Sequence, residues 1–124
     1  LETCRRNTVR RRVLSLHKTV RKYFGEAIVV TQEVEDIISS PIVKESIINN
    51  ADCKILLDQR KYRNKFDQIQ TLLGLTDKER AQVLSINLSN DPARRYKEVF
   101  ISLGGVQSAV YATEVSDEEY LVRP

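Results

Sequence analysis

The sequence predicts an α/β fold, and three observations carry that expectation. Ala27-Ile28-Val29-Val30 and Lys54-Ile55-Leu56-Leu57-Asp58 are short apolar runs without strict alternation, the pattern of strands covered by helices on both faces. The chain between them is helical in character and long enough for a crossover, so the two runs read as parallel strands of one right-handed βαβ unit. Near the end, "RYKEVFISL" and "VQSAVYATEV" flank Gly104-Gly105, the signature of an antiparallel hairpin whose glycines are free to take positive φ.

At 124 residues the chain can bury one core but not two. Its longest apolar runs fall far short of the roughly 20 residues needed to cross a bilayer. The basic start has no apolar h-region of a secretory signal, and the first residue is Leu1, as expected of a fragment or a processed chain. Cys4 and Cys53 lie far apart without a CxxC or a histidine at metal spacing. A buried free thiol at Cys53 and a reducing cytoplasm are the expectation. Charge is uneven. Residues 1–24 hold eight Lys or Arg against one Glu, a balance of +7, and the remaining residues sum to −4 within the overall +3. A basic end can bind nucleic acid or acidic lipid, with Arg5, Arg6, Arg10, Arg11 and Arg12 as its candidate contacts. It can equally be a solvated helix face or a loose terminus.

Residues 1–12 show no clear period and are expected to be poorly ordered; residues 13–124 form the domain proper. Val13, Leu16, Val20 and Phe24 recur at helical spacing, and Gly25 sits where a C′ residue ends such a helix. His17, the only histidine, borders that stripe and reads as a packed residue. After the first apolar run, Ser40-Pro41 reads as an N-cap with proline at N1, Val43, Ile47 and Ile48 as a packing face, and Asn49-Asn50 as the end. Beyond Asp58, the basic stretch "QRKYRNK" leads into a helix carrying Phe66, Ile69, Leu72 and Leu73, stopped by Gly74. Thr76 with Glu79 is a capping box for a helix that turns Val83 and Leu84 inward. "NLSNDPA" is a loop by composition. In the hairpin, Val99, Ile101 and Leu103 share one face, and Val106, Ser108, Val110 and Ala112 alternate on the partner strand. Ser116 followed by Glu119 predicts a short capped helix.

Most catalytic signatures are missing. The four glycines are Gly25, Gly74, Gly104 and Gly105, so the sequence holds no GxxxxGK[ST], GxGxxG or GxSxG, and HExxH is absent too. Glu33, Glu35 and Asp36 have the chemistry to hold Mg²⁺, but carboxylates also belong in the first turn of a helix. What remains is positional. In open α/β sheets, ligands sit at the carboxyl ends of parallel strands. Thr31-Gln32 follows the first run and Asp58-Gln59-Arg60 the second, so both polar groups are expected on one rim. A glutamine there can orient a water or meet a γ-phosphate, or it can be an ordinary strand-end amide.

The run from Lys18, "KTVRKYFGEAIVVTQEVEDIISSPIVKESIINNADCKILLDQRKYRNKFDQIQTLLGLTDKERAQVLSINL", followed by "YKEVFISLGG" and "SAVYATEVSDEEYL", closely resembles the C-terminal part of the TraG-type conjugation ATPases of Bacteroides conjugative transposons. These resemble the VirB-type motor ATPases of type IV secretion. The similarity covers roughly residues 16–121, and its specificity lies in that long co-linear run. It implies the C-terminal portion of a RecA-like P-loop ATPase domain, with parallel core strands flanked by helices plus a C-terminal antiparallel β-hairpin. The phosphate loop (Walker A) and the Mg²⁺-binding acidic pair (Walker B) are both absent, so the chain alone is expected to be inactive. Residues 1–12 and the closing "VRP" depart from the family's pattern.

The resemblance further implies that Gln32, with Thr31 beside it, occupies the phosphate- or water-sensing position. It makes Arg60, Arg63, Arg94 and Arg95 candidate arginine fingers toward a neighbouring subunit's nucleotide. ATP and Mg belong to the intact family protein rather than to this chain. The implied partners are the rest of the motor domain, neighbouring subunits of a hexamer, inner-membrane components of the secretion channel, and DNA as a further candidate. The implied place is the cytoplasmic side of the inner membrane. With the connecting strand missing, residues 28–31 and 54–58 are expected either to pair directly or to leave a slot for another chain. Two other readings stand beside this one: a nucleic-acid or membrane-surface assembly module built on the basic end, and a truncated, non-functional remnant of a mobile element.

Overall fold

The computed structural model describes residues 15, 16, 19–32, 41–88, 93 and 96–121. The chain divides into two units, residues 1–52 and 53–124.

In the first unit, Val20–Tyr23 is a 3₁₀ turn and Pro41–Asn50 is helix α1. Proline does occupy the first helical position of α1, where its fixed φ suits the helix and its missing N–H costs nothing. The turn ends differently from expectation. The left-handed residue is Phe24, at φ 54°, not Gly25. Gly25 donates its N–H to the Val20 carbonyl at 3.1 Å, and a Cβ there would come within 2.9 Å of a Val20 methyl, so a larger residue would have to push that side chain aside. The apolar stripe is also not buried where it is described, since Leu16 and Phe24 are both exposed. Val13 and His17, and the acidic group Glu33, Glu35 and Asp36, lie outside the described residues.

The larger correction concerns the first apolar run. Residues 25–31 take neither helix nor strand, and Ile28 and Val30 are 83% and 88% exposed. A strand exists only where a neighbour accepts its backbone hydrogen bonds, and none of the sheet's three strands comes from this segment. Of the expectations for residues 28–31, a strand in a parallel layer is therefore the one that fails.

The second unit contains the sheet. Strand β1 (Cys53–Leu56) leads through a 3₁₀ helix (Arg60–Lys65) into α2 (Phe66–Leu73) and α3 (Asp77–Ser85). Strands β2 (Tyr96–Leu103) and β3 (Gln107–Glu114) follow, then the short helix α4 (Asp117–Leu121). The order is β1-β2-β3 and both pairings are antiparallel, so β1 is not part of a parallel layer. The connection explains the direction. One crossover helix would carry the chain to the far end of the sheet; two successive helices bring it back to the end where β1 stopped.

The hairpin forms as expected. Gly104 and Gly105 take φ of 55° and 71°, and the Val106 N–H donates to the Leu103 carbonyl at 3.0 Å. Its buried face, however, is the one carrying Phe100 and Ser102, not Val99, Ile101 and Leu103. Paired residues share a face, so Leu56, Phe100 and Val110 line up, as do Lys54, Ser102 and Ser108. On the opposite face Ile55, Leu103 and Tyr111 are exposed, and Cys53, expected to be buried, is an exposed free thiol.

Helix α3 lies against β2 and β3, and the buried side chains are Phe66, Ile69, Leu72, Leu75, Val83, Ile86 and Phe100. Each contributes on the order of 1.5–3 kcal/mol through the apolar area it removes from water. Gly74 caps α2 in the left-handed conformation, φ 66°, and Leu75 then turns inward with its N–H donating to the Gln70 carbonyl. The Arg80 guanidinium joins α3 to α2, pairing with Asp67 and donating to Gln70 Oε1 at 3.0 Å.

The Thr76–Glu79 capping box is complete, and Glu79 does more than cap. It is buried, and its Oε1 accepts from Ser102 Oγ at 3.3 Å while Oε2 accepts from the Thr76 N–H at 2.8 Å. The backbone N–H of Thr76 outweighs the burial penalty and, helped by the Thr76, Ser108 and Ser102 hydroxyls, holds this carboxyl below the ordinary glutamate range. One carboxylate thus caps α3 and fastens it to the middle of the sheet. Ser116 and Glu119 form a second reciprocal cap at α4, as the sequence predicts.

Candidate functional site

The residues with chemistry gather where β1 ends. Asp58 lies two positions beyond Leu56, and its Oδ1 accepts the Arg60 backbone N–H at 3.0 Å, closing a tight turn. The same carboxylate takes the Arg60 side chain: Nε donates to Oδ1 at 2.9 Å and to Oδ2 at 2.8 Å, and Nη2 donates to Oδ2 at 2.5 Å. Spacing dictates this geometry, because two residues apart around a turn puts an arginine's Nε edge within reach of an aspartate's two oxygens.

A third polar residue follows α3. Asn87 stands at φ 55°, a left-handed conformation that asparagine tolerates better than most side chains. Its N–H donates to Glu98 Oε2 at 2.7 Å and its Oδ1 accepts the Glu98 N–H at 3.0 Å. The Arg60 guanidinium is the main cause that holds the Asp58 carboxyl below the usual range; burial opposes it, and the Arg60 N–H and Asn87 add to it. Beside the pair, Gln59 Oε1 is buried without a hydrogen-bond donor among the described residues, a cost of about 1–3 kcal/mol.

The other candidates fall as follows. Arg63 is exposed on the same 3₁₀ helix as Arg60, with Lys61 and Lys65. Gln32 is an exposed residue in a bend of the first unit, and Thr31 beside it is also exposed. The shared rim expected of two parallel strands does not form, because residues 25–31 carry no strand. Arg94 and Arg95, and the basic group Arg5, Arg6, Arg10, Arg11 and Arg12, lie outside the described residues. Asn87 was not singled out by the sequence; its only signal is an asparagine directly after a helix and its last apolar residue, Ile86.

The arrangement carries a carboxylate and a guanidinium side by side. Among the described residues no three His, Cys, Asp or Glu side chains gather as a metal site. Nor, among the same residues, is any helix long and apolar enough to cross a membrane. What the β1 end offers is a preset guanidinium suited to an anionic oxygen.

Comparison with curated proteins and with solved structures gave no match. The model of one family does match, the TraG P-loop domain, and it does so over residues 4–123. That span takes in both units and every element described above. The chain therefore belongs to the TraG P-loop domain family.

Proposed function

We propose that this chain is the phosphate-loop-lacking part of a conjugation motor, an ATPase domain that energises DNA transfer and assembly of a type IV secretion channel of the kind found with Bacteroides conjugative transposons. The observation that carries the reading is the family match over residues 4–123 in a sequence with no GxxxxGK[ST]. A P-loop domain grips nucleotide through the backbone N–H groups of that loop and the lysine beside it. Without them this chain supplies other groups. Gln32 senses phosphate or orients the attacking water, and Arg60 reaches the nucleotide of a neighbouring subunit. ATP and Mg²⁺ are held by the rest of the motor, whose parts and neighbouring subunits are this chain's first partners.

The β1 end supports the assignment of Arg60 over Arg63. A finger must arrive already ordered, since its guanidinium has to meet charge that exists only in the transition state. Arg60 is held at two of its nitrogens and Arg63 has no such anchor described.

Titration with a fluorescent ATP analogue tests the reading directly. The chain alone is expected to show no saturable binding, and micromolar affinity would overturn the proposal. In an ATP-hydrolysing family member, replacing the glutamine that matches Gln32 by alanine is expected to lower kcat by about 100-fold. Hydrolysis at the wild-type rate would remove Gln32 from the catalytic set.

A further inference from the structure

Resting on the reading of Arg60 as a residue that meets a neighbour's nucleotide, we propose that Asp58 is its positioning residue. Nothing in the sequence pattern or the family match assigns that role to Asp58.

The geometry divides the guanidinium into two edges. Nε and one hydrogen of Nη2 are committed to the two oxygens of Asp58. Nη1 has no hydrogen-bond partner among the described residues, and with the second hydrogen of Nη2 it makes the outer edge of the fork. That outer edge has the spacing for two oxygens of one phosphate. The side chain is 40% exposed, so the edge is within reach of a group from outside the chain. Asp58 accordingly does not compete for the edge that phosphate would use; it grips the other one.

The grip has to be fixed itself if it is to direct anything. Asp58 is tied to its own turn by the Arg60 N–H, which donates to Oδ1 at 3.0 Å, so one carboxylate holds both the backbone and the side chain of the same arginine. An arginine on the surface ordinarily samples many rotamers and must be ordered when its ligand arrives. Here that ordering precedes the ligand. The pair is too exposed to matter much for folding, so its bidentate form calls for an explanation other than stability.

Two measurements test this. In the chain as it stands, the Arg60 Nε–H should exchange with solvent slowly, and Asp58→Asn should speed that exchange while leaving the thermal unfolding midpoint unchanged. Equal exchange rates in the two proteins would overturn the proposal. The second measurement uses an ATP-hydrolysing family member with Asp and Arg at the matching positions. Arg60→Ala there should lower kcat by about 10³-fold. Asp58→Asn should lower kcat about tenfold with KM unchanged, Asp58→Glu should recover part of it, and the Asp58→Asn, Arg60→Ala double variant should match Arg60→Ala alone. An inactive Arg60→Ala beside a fully active Asp58→Asn would refute the positioning role but keep Arg60. Faster turnover in Asp58→Asn would show that the carboxylate competes rather than positions. Full activity in Arg60→Ala would remove the reading on which the proposal rests.

Discussion

Residues 27–30 and β1 (Cys53–Leu56) make an instructive pair. Both are four-residue runs rich in β-formers, AIVV and CKIL, and AIVV has the stronger β-propensity. Yet CKIL is a strand, whereas AIVV has no regular structure and leaves Ile28, Val29 and Val30 exposed. The difference lies in what each run meets. Two helices bring the chain back beside β1, so Cys53 faces Leu103 and Leu56 faces Phe100 in register. No described residue of the first unit offers AIVV an edge. Propensity admits a segment to a sheet, and a partner decides whether it joins.

The comparison can be broken at several points, the strongest being Phe100. This side chain is fully buried in the middle strand, on the face that α3 covers, and Phe100→Ala should cost about 3–5 kcal/mol. Urea unfolding followed by circular dichroism measures it. Val30→Ala in the same experiment should fall within about 0.5 kcal/mol of wild type, as for other exposed positions. A Val30 cost close to that of Phe100 would mean that the AIVV run is packed after all.

Glu79 sharpens the same contrast, because it ties α3 to the sheet that captured β1. Its pKa is lowered in the folded state, so its stabilisation is complete above the ordinary glutamate value and is lost as pH falls through the lowered one. Glu79→Gln should cost about 1–2 kcal/mol at neutral pH and flatten the acid arm of the stability curve. An acid arm identical to wild type would show that Glu79 is not the clasp.

A smaller effect is expected in the hairpin that supplies β1 with its partner. Gly105 has φ 71° and open space where a Cβ would lie. Gly105→Ala should therefore cost about 1 kcal/mol from backbone strain alone, with no steric clash. A shift of several kcal/mol would mean that the turn, rather than the cross-strand pairs, holds the sheet together.

Legibility followed the range of the interactions. The caps at Thr76–Glu79 and Ser116–Glu119, the stop at Gly74 and the glycine turn of the hairpin were all readable, because each involves residues within four or five positions. The buried stripe of α2, Phe66, Ile69 and Leu72, was readable for the same reason. The buried face of β2 was not. Val99, Ile101 and Leu103 are as apolar as the strand allows, but Phe100 on the other parity is larger, and Ser102 is acceptable inside because Glu79 waits for its hydroxyl. The candidate site split the same way. Asp58 and Arg60 stand two residues apart and were noticed together as a polar group, whereas the Asn87–Glu98 pair joins residues eleven positions apart.

What the amino-acid order determined by itself was the caps at Thr76–Glu79 and Ser116–Glu119, the helix stop at Gly74, the turn at Gly104-Gly105, and the family that the co-linear run resembles. These depend on local torsion preferences, on capping groups a few residues apart, and on side-chain periodicity. Only the tertiary structure decided that β1 runs antiparallel to β2, which parity of the hairpin is buried, that AIVV forms no strand, and that Asn87 pairs with Glu98. Each of those outcomes depends on which segments meet, and a strand's unpaired N–H and C=O groups bond to whichever backbone the connecting helices bring alongside.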